Sequence, residues 1–206
     1  LEHQPVSQEE VYQRSIELLK SVRIPNPEQR AKDYPHQLSG GMRQRVNIAM
    51  ALANDPEIII ADEPTTALDV TVQAQILSLF RELTRERGLA IIFITHDFGV
   101  VSQICDEVAV MYAGKIVEYG PSAMILNHPA HPYTSRLIGC VPELGKGKRE
   151  LASIDGLPPM VDRLSHGCAF APRCEKTISE CLNNDIKLKN VNANTQVRCL
   201  KPEIHL

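Results

Sequence analysis

The 206-residue sequence contains no run of 18 or more apolar residues, so no stretch of it reads as a membrane-spanning helix. It also lacks a strong charge of either sign. The net charge is −3 and the basic residues are dispersed rather than gathered in a block, which removes the case for a nucleic-acid binder. There is no internal repeat and no low-complexity tract. No secretory leader stands at the start, which sets the cytoplasm as the expected compartment. The first residue is Leu1 rather than Met, so the numbering need not begin where the gene does. Six cysteines are present, but the C-x2-C knuckles usual in zinc ribbons are absent. What remains is an ordinary globular composition, 43% hydrophobic and 23% charged, with room for one full domain and a small one.

Hydrophobic patterning predicts an α/β chain. Ser7 with Glu10 forms a capping box before the apolar run Val11 to Val22, which predicts a helix. From Gly41 to Asn54 the pattern is helical again, with Val46, Ala49, Met50 and Ala53 on one face. "EIIIAD" (57–62) and "LAIIFIT" (89–95) are continuous apolar runs of the kind found in parallel strands buried on both faces. Between them Asp69 caps a helix reaching Arg87, with Val72, Ile76, Leu79 and Leu83 inward and Gly88 as its stop. A helix follows Asp97, then "EVAVMYAGKIVEYG" (107–120) reads as a hairpin turning at Ala113-Gly114-Lys115. Helices are expected near Ser122–Asn127 and Pro132–Cys140. From Pro142 to Met160 glycine, proline and lysine dominate, which suggests a linker or extended surface segment before a cysteine-rich tail. Strands alternating with helices point to a parallel sheet flanked by helices.

Three short stretches carry chemistry. "IIIADEP" ends a strand on two carboxylates, at the sheet edge where α/β folds bind ligands. Strand alternation splits their directions, so Asp62 could hold Mg²⁺ through water while Glu63 polarises an attacking water. "ITHD" ends the second strand on His96, at the same edge, where a neutral imidazole could bond a γ-phosphate or orient that water. "LSGGMRQRV" (38–46) sets Ser39, Gly40 and Gly41 at a helix start, where bare N–H groups and the helix dipole make an anion site. Taken singly, each has an ordinary reading: a solvated acidic strand end, a structural histidine, a plain N-cap.

In this order and spacing the three stretches resemble the ATP-binding-cassette (ABC) ATPases of transporters, over residues 1 to about 125. The resemblance implies a signature loop at Leu38–Met42, with Ser39, Gly40, Gly41 and Gln44 toward nucleotide. It implies a Walker B strand at Ile58–Glu63 with Asp62 toward Mg²⁺, and Glu63 as catalytic base. Ala67-Leu68-Asp69 would be the D-loop and His96 the switch histidine. ATP then lies between the signature loop of one cassette and the phosphate cradle of a second ABC ATPase subunit. The cradle pattern G-x-x-x-x-G-K-[ST] is missing here, as is the Q-loop glutamine. "ELGKGKRE" (143–150) has the wrong spacing. The expectation is that residues 1–206 are the C-terminal part of a longer protein, with a sheet incomplete at its N-terminal end and no ATPase activity alone. The implied divisions are a helical subdomain end (1–56), a core (57–128), an extension and linker (129–160) and a cysteine-rich tail (161–206).

"HPYT" (131–134), "GLPP" and "HGCAFAPRC" (166–174) resemble the C-terminal extension of dipeptide and oligopeptide importer ATPases. Nickel importers with similar ATPases stay open. The resemblance implies a peripheral position on the cytoplasmic face of the membrane, integral membrane permeases as partners, and an extracytoplasmic binding protein that selects substrate. Taken alone, HPYT reads as a helix start, with Pro132 in the first turn and Tyr133 and Thr134 packing. The tail cysteines Cys168, Cys174, Cys181 and Cys199 are spaced C-x5-C-x6-C-x17-C. Four thiolates can hold a [4Fe–4S] cluster or zinc. Some importer ATPases with this tail are associated with the cluster; empty thiols and disulfides stay open. Cys105 and Cys140 read as core residues. Rival readings are a non-transport cassette, disfavoured by the absence of coiled coils or a tandem cassette, and a metal-binding module on an inert cassette remnant.

Overall fold

The computed structural model describes residues 6–141, 153–157, 159 and 166–203. Among these no helix is long and apolar enough to cross a membrane. The chain forms two compact units, Leu1–His96 and Asp97–Leu206.

In the first unit, helix α1 (Gln8–Ser21) starts where Ser7 accepts a hydrogen bond from the Glu10 N–H at 3.2 Å. After the short helix α2 (Pro27–Arg30) comes α3 (Gly40–Leu52), which packs against α1. Its buried side is not the expected one. Arg45, Ile48, Ala49 and Leu52 face inward, while Met50 is 71% exposed. The cause is Arg45, whose guanidinium donates to the Val22 carbonyl at 2.9 Å and to Gln75 Oε1 at 3.1 Å. Satisfying this buried cation turns the helix away from its purely apolar stripe.

Strand β1 (Ile58–Asp62) pairs in parallel with β2 (Ala90–Ile94), in register from Ile58 opposite Ala90 to Asp62 opposite Ile94. The crossover is α4 (Val70–Arg87), capped by Asp69 and stopped at Gly88, whose φ of 64° suits glycine. Ile76, Leu77, Leu79, Phe80 and Leu83 of α4 are buried, and Phe80 meets Phe93 of β2 edge to face at 5.6 Å. Both strands were expected to be buried on both faces. Instead Ile59 and Ala61 are buried, while Ile58, Ile60, Ile92 and Ile94 are 57%, 66%, 53% and 46% exposed. Nothing among the described residues covers that second face.

The second unit opens with α5 (Phe98–Ile104) and a hairpin of β3 (Glu107–Tyr112) and β4 (Lys115–Pro121). Ala113 and Gly114 both have positive φ, 48° and 77°, as a two-residue hairpin turn requires. Helices α6 (Ser122–Asn127) and α7 (Pro132–Gly139) follow as the sequence predicts. Of the expected linker at 142–160, only 153–157 and 159 are among the described residues. The tail folds onto the hairpin. It supplies α8 (Ser179–Asn183), β5 (Lys189–Asn190) and β6 (Gln196–Val197), giving an antiparallel sheet of order β3-β4-β6-β5. The core joins Val110, Tyr112, Val117, Ile125 and Phe170, with Cys168, Cys174 and Tyr133 packed against it.

Candidate functional site

The edge of the parallel sheet is built by register. Asp62 is the last residue of β1 and is exposed, and its carboxylate has no partner among the described residues. The Glu63 N–H donates to the Ile94 carbonyl at 2.9 Å, carrying the strand pairing one residue further. Glu63 then takes a φ of 45°, the left-handed region that costs a non-glycine residue about 1–2 kcal/mol. The chain turns back, and the Thr66 N–H donates to the Glu63 carbonyl at 3.1 Å. This bend aims the Glu63 carboxylate along the sheet edge. Oε1 lies 3.1 Å from His96 Nδ1, and Oε2 accepts from the Thr66 hydroxyl at 3.0 Å. Thr66 first, and His96 second, hold the Glu63 carboxyl below the usual carboxylate range. The pair is open to solvent, with the side chains 47% and 77% exposed. The arrangement is an ionised base beside an imidazole, in reach of an incoming ligand. Thr66 was missed in the sequence. Its signal is the i, i+3 spacing from Glu63, which a turn brings into contact.

The Ser39 side chain caps α3, accepting from the Met42 N–H at 3.3 Å. Ser39 and Gly40 are exposed, and Gly41 and Gln44 are half-buried. The two glycines have different reasons to be there. A Cβ on Gly41 would stand 2.5 Å from Val72 Cγ1, in the first turn of α4. A Cβ on Gly40 would meet Leu68 Cδ2 at an ordinary 3.6 Å. Chain packing therefore requires Gly41 and leaves Gly40 unexplained. Asp69 caps α4 through its own carboxylate, accepting from the Val72 N–H at 2.9 Å. We expect Gly41→Ala to destabilise the first unit by about 1–3 kcal/mol in chemical denaturation. Adding Val72→Ala restores most of the loss, and Gly40→Ala alone has little effect.

In the second unit the four tail cysteines line one cavity of about 20 Å³, together with His131, Pro132, Phe170 and other residues. All six cysteines of the chain are free thiols, and Cys105 and Cys140 are half-buried. Gly167 lets the backbone pass tightly against the Cys181 and Leu182 carbonyls, and Cys168 N–H donates to the Cys181 carbonyl at 2.7 Å. Burial, then its cysteine neighbours, push Cys199 up to about 11. Amides of Phe170 and Ala171 face Cys168, and the Lys201 N–H donates to Cys199 Sγ at 3.3 Å. Among the described residues no three His, Cys, Asp or Glu side chains stand in an arrangement that could hold a metal ion.

HPYT starts α7 as expected: His131 is its N-cap, Pro132 its first residue, and Tyr133 packs on Tyr112 and Phe170 at 4.5 and 5.4 Å. Glu118, which no sequence motif marks, is fully buried and accepts from the N–H groups of Ala130 at 2.6 Å and His131 at 2.9 Å. Burial raises its pKa, against the lowering effect of Thr134 and those two amides. Glu118→Ala would orphan both amides, and we expect a loss of about 2–5 kcal/mol in urea denaturation. The raised pKa makes this unit's stability fall as pH rises from the ordinary carboxylate range through the folded value.

Residues 2–66 match the family described as "ABC transporter", and residues 117–181 match "Oligopeptide/dipeptide transporter, C-terminal region". The oligopeptide transport ATP-binding protein OppD of Salmonella typhimurium is 49% identical over 200 residues, 97% of this chain and 59% of that protein. Along almost its whole length the chain is similar to ATP-binding proteins of peptide transporters. The dipeptide transport ATP-binding protein DppD of Bacillus subtilis is 52% identical over 181 residues, 88% of this chain. The chain spans 54–59% of the length of these two relatives. Among solved structures, the dimeric bacterial ABC transporter cassette MJ0796 matches at TM-score 0.51 and 36% identity, over 58% of this chain and 50% of that one. An inward-facing metal-chelate type ABC transporter matches at TM-score 0.55 and 28% identity, over 65% of this chain and 50% of that one.

Proposed function

We propose that this ABC chain supplies the signature turn and hydrolytic edge of an ATP-hydrolysing subunit that drives uptake of dipeptides or oligopeptides. The observation that carries the reading is the Glu63 carboxylate, bent out of the strand and held between His96 and Thr66 beside Asp62. In this reading Glu63 takes the proton of the attacking water, and His96 orients the base and senses the γ-phosphate. Asp62, exposed and unpartnered among the described residues, would hold Mg²⁺ through water, and the ion neutralises phosphate charge. Ser39, Gly40 and the half-buried Gly41 and Gln44 face the nucleotide of a second ABC ATPase subunit. Two cassettes are joined in the dimeric MJ0796 structure, which supports that pairing. Gly40 has no packing reason to be glycine, which supports close approach by a phosphate. Asp69 acts through its helix cap, fixing the turn that carries Leu68 toward Gly40.

The peptide substrate class rests on the match of residues 117–181 and on the names of the relatives. Permeases in the membrane, a binding protein outside it and a peripheral site on the cytoplasmic face complete the reading. The test is ATP-dependent uptake of labelled peptides by the full-length protein reconstituted with its permeases in liposomes. Uptake of nickel but not peptides would overturn the substrate class.

The tail cysteines are read as the ligands of a [4Fe–4S] cluster: Cys168, Cys174, Cys181 and Cys199. What supports the reading is that all four line one cavity. The cluster would supply a rigid cross-link of four chain segments. Equal iron and sulfide per chain, with a broad visible band, are expected from anaerobically purified protein; zinc without iron would overturn this.

A further inference from the structure

Arg45 puts a cation into the buried side of α3, and both of its partners are neutral: the Val22 carbonyl and Gln75 Oε1. Burial first, and the like charge of Arg23 second, lower its pKa. A methionine or leucine would fill the same space with no cation to desolvate. What the guanidinium adds is a planar fork that reaches two other helices at once. Val22 is the C-cap of α1, so its carbonyl is among the end groups that a helix leaves unbonded. Gln75 lies on α4, three residues beyond Val72, and Arg45 lies on α3, four residues beyond Gly41. Helices α3 and α4 thus meet twice along one line. The first meeting is the tight pass of Gly41 over Val72, and the second is the Arg45–Gln75 bond. An apolar pass permits sliding, whereas a forked hydrogen bond fixes direction.

Both helices begin at turns that the site uses. Ser39 and Gly40 open α3, and residues 66–69 lead into α4, with Thr66 holding Glu63 and Asp69 capping the helix. Leu68 stands beside Gly40. Resting on the function proposed above, we propose that Arg45 is a positioning residue, whose paired bonds to Val22 and Gln75 lock the Ser39-Gly40 turn and the 66–69 turn into one rigid piece. Arg45 touches no reacting group. It fixes where the first turn of α3 stands for a second subunit, and it carries any shift of the Glu63–Thr66 turn across to Ser39.

Gln75→Met is the leading variant, because Gln75 is exposed and its loss leaves the Val22 bond in place. In full-length protein reconstituted with its permeases, kcat for ATP is expected to fall by about 10–10²-fold, the scale of a misplacement of up to about 1 Å. The KM and the number of nucleotide-binding sites per chain should stay at wild-type values. Arg45→Lys keeps the charge without the fork and is expected to match Gln75→Met. The double variant should be no worse than either, because one link is cut in all three. Gln75→Glu keeps an acceptor in place and should retain most of the wild-type kcat. A wild-type kcat in Gln75→Met would overturn the proposal. So would losses that multiply in the double variant, or binding sites that vanish in proportion to kcat, which is the mark of a folding defect. Hydrogen exchange supplies a readout independent of turnover. The amides of Met42, Arg43 and Leu68 are bonded within the two turns, and Gln75→Met should speed their exchange while that of Ala90, at the start of β2, keeps its wild-type rate. No change at the turns would overturn the lock. Wild type that exchanges as expected but hydrolyses no ATP would overturn the proposed function and leave the lock standing.

Discussion

Glu63→Gln is expected to lower ATP turnover of the assembled transporter by about 10²–10⁴-fold while leaving nucleotide binding intact. The amide keeps the shape of the side chain and the strained turn at φ 45°, but it cannot accept the proton of water. Nucleotide affinity should survive because Glu63 touches the attacking water rather than the phosphates. Steady-state ATPase assays and equilibrium nucleotide binding on the same sample check both halves. A full-rate Glu63→Gln enzyme would remove Glu63 as base. Thr66→Val refines the test. The Thr66 hydroxyl is the main influence holding the Glu63 carboxyl low, ahead of His96. Without it the carboxyl titrates at higher pH, so the acid limb of the pH–rate profile moves upward. A purely structural role for Thr66 would leave that limb in place.

The second large effect concerns the 206 residues by themselves. They are expected to show no Mg-ATPase activity above background. The hydrolytic edge is present, but the sequence contains no G-x-x-x-x-G-K-[ST] cradle to hold a triphosphate in line with Glu63. Positioning accounts for about 7–11 kcal/mol of barrier lowering in well-oriented reactions, and phosphoryl transfer depends on it more than on covalent chemistry. Losing that term leaves too little catalysis to detect. Turnover by the purified chain that responds to Glu63→Gln would sink this expectation.

The first unit was largely legible because its signals are local. Ser7, Ser39 and Asp69 each announce a helix start through a short polar side chain, and each accepts the amide three residues on. The parallel pairing followed from two apolar runs separated by a helix. Burial was less legible. The expected face held Met50 and left Arg45 out, yet bonds to Val22 and Gln75 place Arg45 inside, and Met50 stands outward. The partner of Glu63 was half visible: His96 was expected from its strand end, whereas Thr66 depended on a left-handed turn that a glutamate rarely adopts. In the second unit Glu118 lay in a strand where alternation suggests a solvent-facing acid. Its burial comes from amides twelve and thirteen residues away, and no local pattern encodes that. The strands of the tail are two residues long, too short to leave a periodic trace.

The four isoleucines standing outward from β1 and β2 have a practical consequence. Ile58, Ile60, Ile92 and Ile94 form a greasy ridge on strands that have low charge and strong β-propensity. Concentrated alone in solution, such a ridge would recruit its own copies, stacking sheet upon sheet. Low yield from the soluble fraction, growing with concentration and relieved by mild detergent or by Ile60→Lys, would be the signature of that self-recruitment rather than of a misfolded core.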